Sequence, residues 1–248
     1  MCYLILDKQL TKAQFFENGK LYQLVPTKGK PLMKISGNSM HKKEFVDRIS
    51  RDHLYGTILD AGTGLGYTAI EASKSAKKVI TYEIDDAVIS LAHLNPYSQF
   101  LFSQKNIEQF NKDITLEIKN YEDASFDFII LDGGTPKSSG DFFSLKNYQE
   151  MYRVLREKGR LYHYIPKHHI QRGRDYMGEI ALRLKKAGFQ TILKAHPQQS
   201  LSQLKIFLDQ RSLKPSALVQ KESLESLSLI SSIALVIASS AVFQIIPS

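Results

Sequence analysis

The sequence predicts an α/β fold in which a mostly parallel sheet carries helices on both faces. From Thr57 onward, short runs rich in β-branched and aromatic residues alternate with longer stretches of helical period, which is how strand-helix-strand units read. A glycine-rich turn follows the first of those strands directly, where the chain must reverse into a helix. At 248 residues, 43% hydrophobic and 23% charged, the chain is long enough for one large domain with extensions.

The strands are expected at Thr57–Leu59, Val79–Tyr82, Phe128–Leu131, Gly159–Tyr164 and Gln190–Lys194. Between them, Tyr148, Met151, Tyr152 and Leu155 fall at i, i+3, i+4, i+7, as do Met177, Ile180, Ala181 and Leu184. Each set puts one apolar stripe against a sheet. Ala187-Gly188-Phe189 has the form of a glycine helix cap leading into a strand, and Leu201–Leu208 is placed to return antiparallel beside it, completing a seven-stranded sheet. The division that follows is a basic N-terminal extension over 1–52, the αβ domain over 53–210, and a linker with an apolar tail over 211–248.

The net charge of +8 is uneven. Residues 57–145 carry 7 Lys/Arg against 13 Asp/Glu, whereas 1–56 carry 10 against 5 and 146–186 carry 11 against 4. Basic flanks around an acidic middle suit a phosphate-rich partner such as RNA, and equally a solvated surface. A single cysteine, Cys2, excludes an intrachain disulfide and a cysteine zinc cluster,. His168-His169 have no Cys or closely spaced acid nearby, so no metal is expected. The apolar run Cys2–Leu6 is too brief for a signal peptide, and a cytoplasmic location is expected. From Ser226 to Ser248 no residue is charged, and Leu227–Ile246 matches the roughly 20 residues that cross a bilayer,. Six interspersed polar residues weaken it, so membrane association, docking on the domain or self-association, and a disordered tail all stand open.

The chemistry concentrates in Asp60-Ala61-Gly62-Thr63-Gly64-Leu65-Gly66 and in Glu83, 23 positions after Asp60. A strand ending in an acid, then glycines at alternate positions, presents bare backbone to a nucleoside, and an acid closing the next strand can accept both ribose hydroxyls. The G-x-G-x-x-G of dinucleotide sites would place its third glycine at position 67, where Tyr67 stands. With no pyrophosphate to cradle, a methyl donor fits better than NAD.

Several segments together carry a family likeness over about residues 30–195: Ile35-Ser36-Gly37 with Met40-His41, Gly64 to Ile70, Leu94-Asn95-Pro96-Tyr97-Ser98, Ser125-Phe126-Asp127, Tyr152-Arg153-Val154-Leu155, Gly159 to Tyr164, and Arg172-Gly173-Arg174-Asp175. The chain resembles class I S-adenosylmethionine-dependent methyltransferases, and more narrowly a group of archaeal predicted methyltransferases that are spermidine-synthase-like. The resemblance implies a Rossmann-like sheet and S-adenosyl-L-methionine as cofactor. It implies that Asp60 with Gly62, Thr63, Gly64 and Gly66 holds the methionine end, Glu83 and Ile84 the ribose side, and Asp113 with Ile114 the adenine.

Asp132 is expected to orient or deprotonate the acceptor, with His41 and His163 as second candidates near the same end of the sheet. Arg172 and Arg174 can clamp an acidic substrate or a phosphate, or equally begin a solvated helix. In the archaeal group the active-site strand ends in a His-Asp-Pro-Pro type sequence, whereas here Leu131-Asp132-Gly133-Gly134-Thr135-Pro136 follows. The aspartate is kept and the proline pair is not, which argues against a base amino group as acceptor. Methyl transfer to RNA or another anionic acceptor is therefore expected first, spermidine-synthase-like aminopropyl transfer second, and cofactor binding without catalysis third.

Overall fold

The computed structural model describes residues 2–6, 9–40, 43–133, 140–166, 176–193 and 203–209. Strands β7 (Thr57–Ala61), β8 (Lys78–Glu83), β9 (Ile107–Asn111), β10 (Phe126–Leu131), β11 (Leu155–Pro166), β12 (Gln190–Leu193) and β13 (Gln203–Asp209) form one sheet in the order β12-β13-β11-β10-β7-β8-β9. β7 to β11 pair in parallel, and β13 runs antiparallel to both of its neighbours. This is the expected Rossmann-like α/β sheet. β9 was not anticipated: its alternation is short and ends in polar Asn111, and only Ile107 of the strand is buried.

The chain winds outward from β7 to β9 and then crosses back to β10, so the order reverses between β7 and β10. Open α/β sheets leave a crevice at such a switch point, outside the carboxyl ends of the strands. Helices α1 (Lys43–Asp52), α2 (Tyr67–Ser73) and α3 (Asp86–His93), with α4 (Gln99–Ser103), pack on one face through Phe45, Ile49, Ala69, Leu91 and Leu101. The other face holds α5 (Ile114–Glu117), α6 (Leu145–Val154) and α7 (Tyr176–Lys186) through Ile114, Tyr148, Met151, Ile180 and Leu184. Both predicted stripes thus supply core residues, and Leu155 already belongs to β11. α7 ends as the Ala187-Gly188-Phe189 pattern requires: Gly188 has φ 109°, its N–H donates to Lys185 O, and Phe189 N–H reaches back to Leu184 O,.

The basic N-terminal stretch is a folded β layer. β1 (Tyr3–Leu6) and β2 (Gln9–Lys12) form a hairpin, and β3 (Gln14–Glu17), β4 (Lys20–Val25), β5 (Leu32–Ile35) and β6 (Asn38–Ser39) form an antiparallel four-stranded sheet. Its tight turns are Asn18-Gly19 and Ser36-Gly37, each with positive φ at both residues, the geometry that two-residue hairpins demand. Ala13, Tyr22, Leu24 and Met33 join the same core as α1 to α3.

Two of the segments that carry the family likeness have structural work in the fold. Asp127 lies at the amino end of the sheet, away from the crevice, where its carboxylate accepts from Thr57 N–H (2.8 Å) and Arg156 (2.7 Å). Arg153 ties α6 to the loop before β10 through Ile118 O, Tyr121 O and Asp123.

Candidate functional site

The first wall of the crevice, the donor wall if a cofactor lies there, is built on the turn from β7 into α2. Gly62, Gly64 and Gly66 all have positive φ (102°, 53° and 76°). Gly62 and Thr63 both donate their N–H groups to Tyr82 O at 3.0 Å, fastening the turn to β8. A Cβ on Gly62 would strike the carbonyl of Asp132 and lie 2.9 Å from its carbon and 3.0 Å from Gly133 Cα. Bare backbone is therefore required there by the neighbouring loop, whatever else it serves.

Asp60 is fully buried. One carboxylate oxygen accepts from Thr68 Oγ1 (3.0 Å) and the other from Thr81 Oγ1 (2.6 Å). Thr63 Oγ1 lies 2.6 Å from Thr81 Oγ1, and since Thr81 gives its proton to Asp60, Thr63 is the donor to Thr81. Burial pushes the Asp60 carboxyl up to about 7, against the opposing pull of the two hydroxyls,. The geometry makes Asp60 the internal brace of the turn, with Thr63 turned into the same network.

Glu83 closes β8. Its Oε2 accepts from Gly64 N–H (3.0 Å) and its Oε1 from Ile84 and Asp85 N–H (3.1 Å each). Desolvation by burial raises its pKa. A carboxylate offers about four acceptor directions, so three amides leave capacity for a hydroxyl. Ile84 beside it is 66% exposed, an uncovered apolar side chain just past the end of β8. Asp113 caps α5 by accepting from Thr115 N–H and Oγ1, both at 2.8 Å, and Ile114 is buried.

A buried polar chain, not anticipated in this role, stands behind the turn. Ser98 donates to Leu65 O (2.7 Å), Asn95 to Ser98 Oγ (2.7 Å) and to the Tyr67 hydroxyl (2.9 Å), and Tyr67 in turn to Pro31 O (2.8 Å) in the N-terminal layer. Burial holds the Tyr67 phenol at about 12. The segment Leu94 to Ser98 thus buttresses the glycine turn.

The second wall is the end of β10. Asp132 donates its backbone N–H to Ala61 O at 3.1 Å, so the two loops meet at the switch point and Asp132 stands over the glycine turn. Strand register sets Leu131 beside His163, which brings Asp132 level with Tyr164. The Tyr164 ring lies 5.7 Å from that of Phe45 on α1. Its hydroxyl is made a weaker acid by burial and then by the negative charges of Asp132 and Glu44. The alternation of Tyr162 and Tyr164 along the strand could have revealed this face of β11.

His163 points to the opposite face and is 1% exposed. Its Nδ1 faces Tyr164 O (3.1 Å) and must carry the proton, leaving Nε2 to accept from the Tyr148 hydroxyl (2.9 Å). Burial drives its pKa down to about 3, so the ring is neutral. The crevice therefore brings together the glycine turn, Glu83, Ile84 and Asp132, while His163 lies behind the sheet. His41, His168, His169, Arg172, Arg174 and the loop from Gly134 to Pro136 lie outside the described residues, as does the tail 226–248. Among the described residues no helix is long and apolar enough to cross a membrane.

A parallel sheet with a glycine turn at its switch point and an acid closing the next strand is the layout of a nucleoside-cofactor site in a Rossmann-like fold. Residues 53–204 match the family described as methyltransferase domain, and the chain belongs to that family. An uncharacterised protein of Methanocaldococcus jannaschii is 36% identical over 197 residues, 75% of this chain and 67% of that protein. A spermidine synthase solved with the transition state analogue AdoDATO superposes with a TM-score of 0.66 at 19% identity, covering 79% of this chain and 72% of that one. The spermidine synthase of Thermotoga maritima gives 0.62 at 18%, covering 79% and 71%. At these identities the two structures share the fold.

Proposed function

We propose that the protein transfers a methyl group from S-adenosylmethionine to an acceptor held at Asp132. The observation that carries this reading is the backbone contact of the Gly62 turn with the Asp132 loop, which sets a donor wall and an acceptor wall side by side. The residues fit the cofactor: Glu83 has acceptor capacity for a ribose hydroxyl, and Ile84 offers an exposed apolar surface beside it.

The cofactor would supply an electrophilic methyl on a sulfonium. The chain's own part is alignment and, where the acceptor is protonated, removal of a proton. Asp132 is placed for the second task, and the glycine turn, held by Asp60 through Thr68 and Thr81, is the rigid element on which the first depends. Asp132→Asn is expected to lower kcat at least ~100-fold while S-adenosylhomocysteine binding measured calorimetrically stays within about twofold. Full turnover by that variant would remove Asp132 from the chemistry.

For the acceptor, the basic segment 146–186 and Arg172 with Arg174 support RNA or another anion. Labelled S-adenosylmethionine with fractionated cell extract would show whether label enters RNA, and RNA binding should weaken steeply with salt. A second reading, aminopropyl transfer to a cationic amine, is favoured by the negative charges of Asp132 and Glu44 around Tyr164. Turnover of decarboxylated S-adenosylmethionine with a polyamine, and none of S-adenosylmethionine itself, would decide for it.

A further inference from the structure

We infer that Tyr22, in the N-terminal layer, is a positioning residue for the donor pocket, acting through Asp85 on the loop that carries Glu83. This deepens the methyl-donor reading and rests on it for the identity of the ligand. Tyr22 is buried at 1% exposure on β4, with its ring stacked on Phe15 at 5.5 Å. Its hydroxyl crosses 63 positions of sequence to donate to Asp85 Oδ2 at 2.8 Å. The other oxygen of Asp85 caps α3 by accepting from Ala87 N–H at 3.1 Å. The backbone N–H of the same residue donates to Glu83 Oε1.

One aspartate therefore fixes three things: the start of α3, the orientation of Glu83, and the distance between the N-terminal layer and the crevice. A second strut meets the glycine turn, where Tyr67 at the start of α2 donates to Pro31 O in the β4–β5 turn, and Lys30 beside that proline lies 5.1 Å over the Tyr67 ring. The layer thus touches the donor wall twice, at the Glu83 loop and at the glycine turn, each time through one phenol. A carboxylate tied this way is preorganised to meet hydroxyls without reordering its loop, and preorganisation is what raises affinity at fixed contacts. Releasing Tyr22 should leave the Glu83 loop able to fold but freer to move, so the loss falls on ligand binding.

Tyr22→Phe keeps the ring and its stacking and removes only the hydroxyl. Two readouts test it. In the ligand-free protein, amide hydrogen exchange at Gly64, Ile84 and Asp85, the three donors to Glu83, should quicken 5- to 10-fold, while Ile129 in the sheet centre stays unchanged. Calorimetric titration with S-adenosylhomocysteine should show a 5- to 10-fold weaker Kd. In a turnover assay the loss should appear in KM for the cofactor, with kcat at saturation within twofold.

Asp85→Ser retains a capping oxygen for α3 but is too short to meet Tyr22. The double variant should be no worse than either single one if both act through this contact. Unchanged exchange at the three amides, quickening equal to that at Ile129, or additive losses in the double variant would overturn the proposal. Wild-type protein that fails to bind S-adenosylhomocysteine, with the local exchange difference still present, would count against the methyl-donor reading and uphold the strut.

Discussion

Asp60 under the donor wall and His163 behind the acceptor wall are both buried titratable groups near the ends of their strands, satisfied in opposite ways. Asp60 is surrounded by donors, the hydroxyls of Thr68 and Thr81, yet burial still raises its pKa to about 7. His163 is held as a neutral ring between a carbonyl and a phenol, and burial lowers its pKa to about 3. The donor wall is braced on three sides, by Asp60, by the Ser98–Asn95–Tyr67 chain and by the N-terminal layer. For the acceptor wall the backbone contact runs through one strand end, from Asp132 to Ala61. A pocket that must hold one invariant ligand benefits from bracing, whereas the acceptor side is where proteins of one fold diverge.

The sharpest way to break that comparison is at the seam. Gly62→Ala puts a methyl against the Asp132 carbonyl at a φ of 102°. Backbone strain and overpacking together should cost roughly 4 kcal/mol, a loss visible in urea denaturation. Gly133→Ala, on the other side of the same seam, meets the Phe142 ring edge at 3.2 Å and has no positive φ. A ring can give where backbone cannot, so less than about 1 kcal/mol is expected. Equal losses for the two would show that both walls are equally rigid.

The two buried groups should also pull stability in opposite directions with pH. The Asp60 carboxyl is protonated up to about 7 in the folded chain but ionises near ~3.9 when unfolded,. Between those values the unfolded state binds fewer protons, so stability falls as pH rises. His163 takes its proton near ~6.5 in the unfolded chain but only near about 3 when folded,. There the unfolded state binds more protons, and stability falls as pH drops. In the overlap, about pH 4 to 6.5, each slope is at most ~1.4 kcal/mol per unit, and the two offset each other. Relative to wild type, Asp60→Asn should therefore gain stability with rising pH over that window, and His163→Gln should lose it. Urea midpoints across the window would check this; differences of the same sign in both variants would refute it.

What the sequence discloses differs between the walls for the same physical reason. Asp60, the three glycines and Glu83 are recognisable because a strand-turn-helix reversal and the next strand's end have fixed local spacings. Asn18-Gly19 and Ser36-Gly37 are equally local hairpin signals that went unread within the basic extension, and short, mostly exposed strands such as Gln9–Lys12 lack the alternation that would have extended them into a layer,. Tyr22 with Asp85, Asn95 with Tyr67, and Tyr164 level with Asp132 depend on packing between distant segments, which no periodicity records. Asp60 and His163 show the converse, since the residue types were recognised but their burial, and hence their bracing roles, was not.

A hydroxyl deletion separates a structural His163 from a chemical one. Tyr148→Phe removes the hydroxyl that donates to Nε2 in a site without water access, where Tyr148 itself is fully buried. Because Nδ1 must keep its proton for Tyr164 O, the ring cannot switch tautomer to compensate, and Nε2 is left without that donor. An unmet buried acceptor costs on the order of 1–2 kcal/mol, which for a chain of this size lowers Tm by roughly 2–6 °C. If His163 only supports the sheet, turnover below that transition should be unchanged. Turnover that falls tenfold with Tm unmoved would bring His163 back into the chemistry and give the acceptor wall an internal support of the kind Asp60 gives the donor wall.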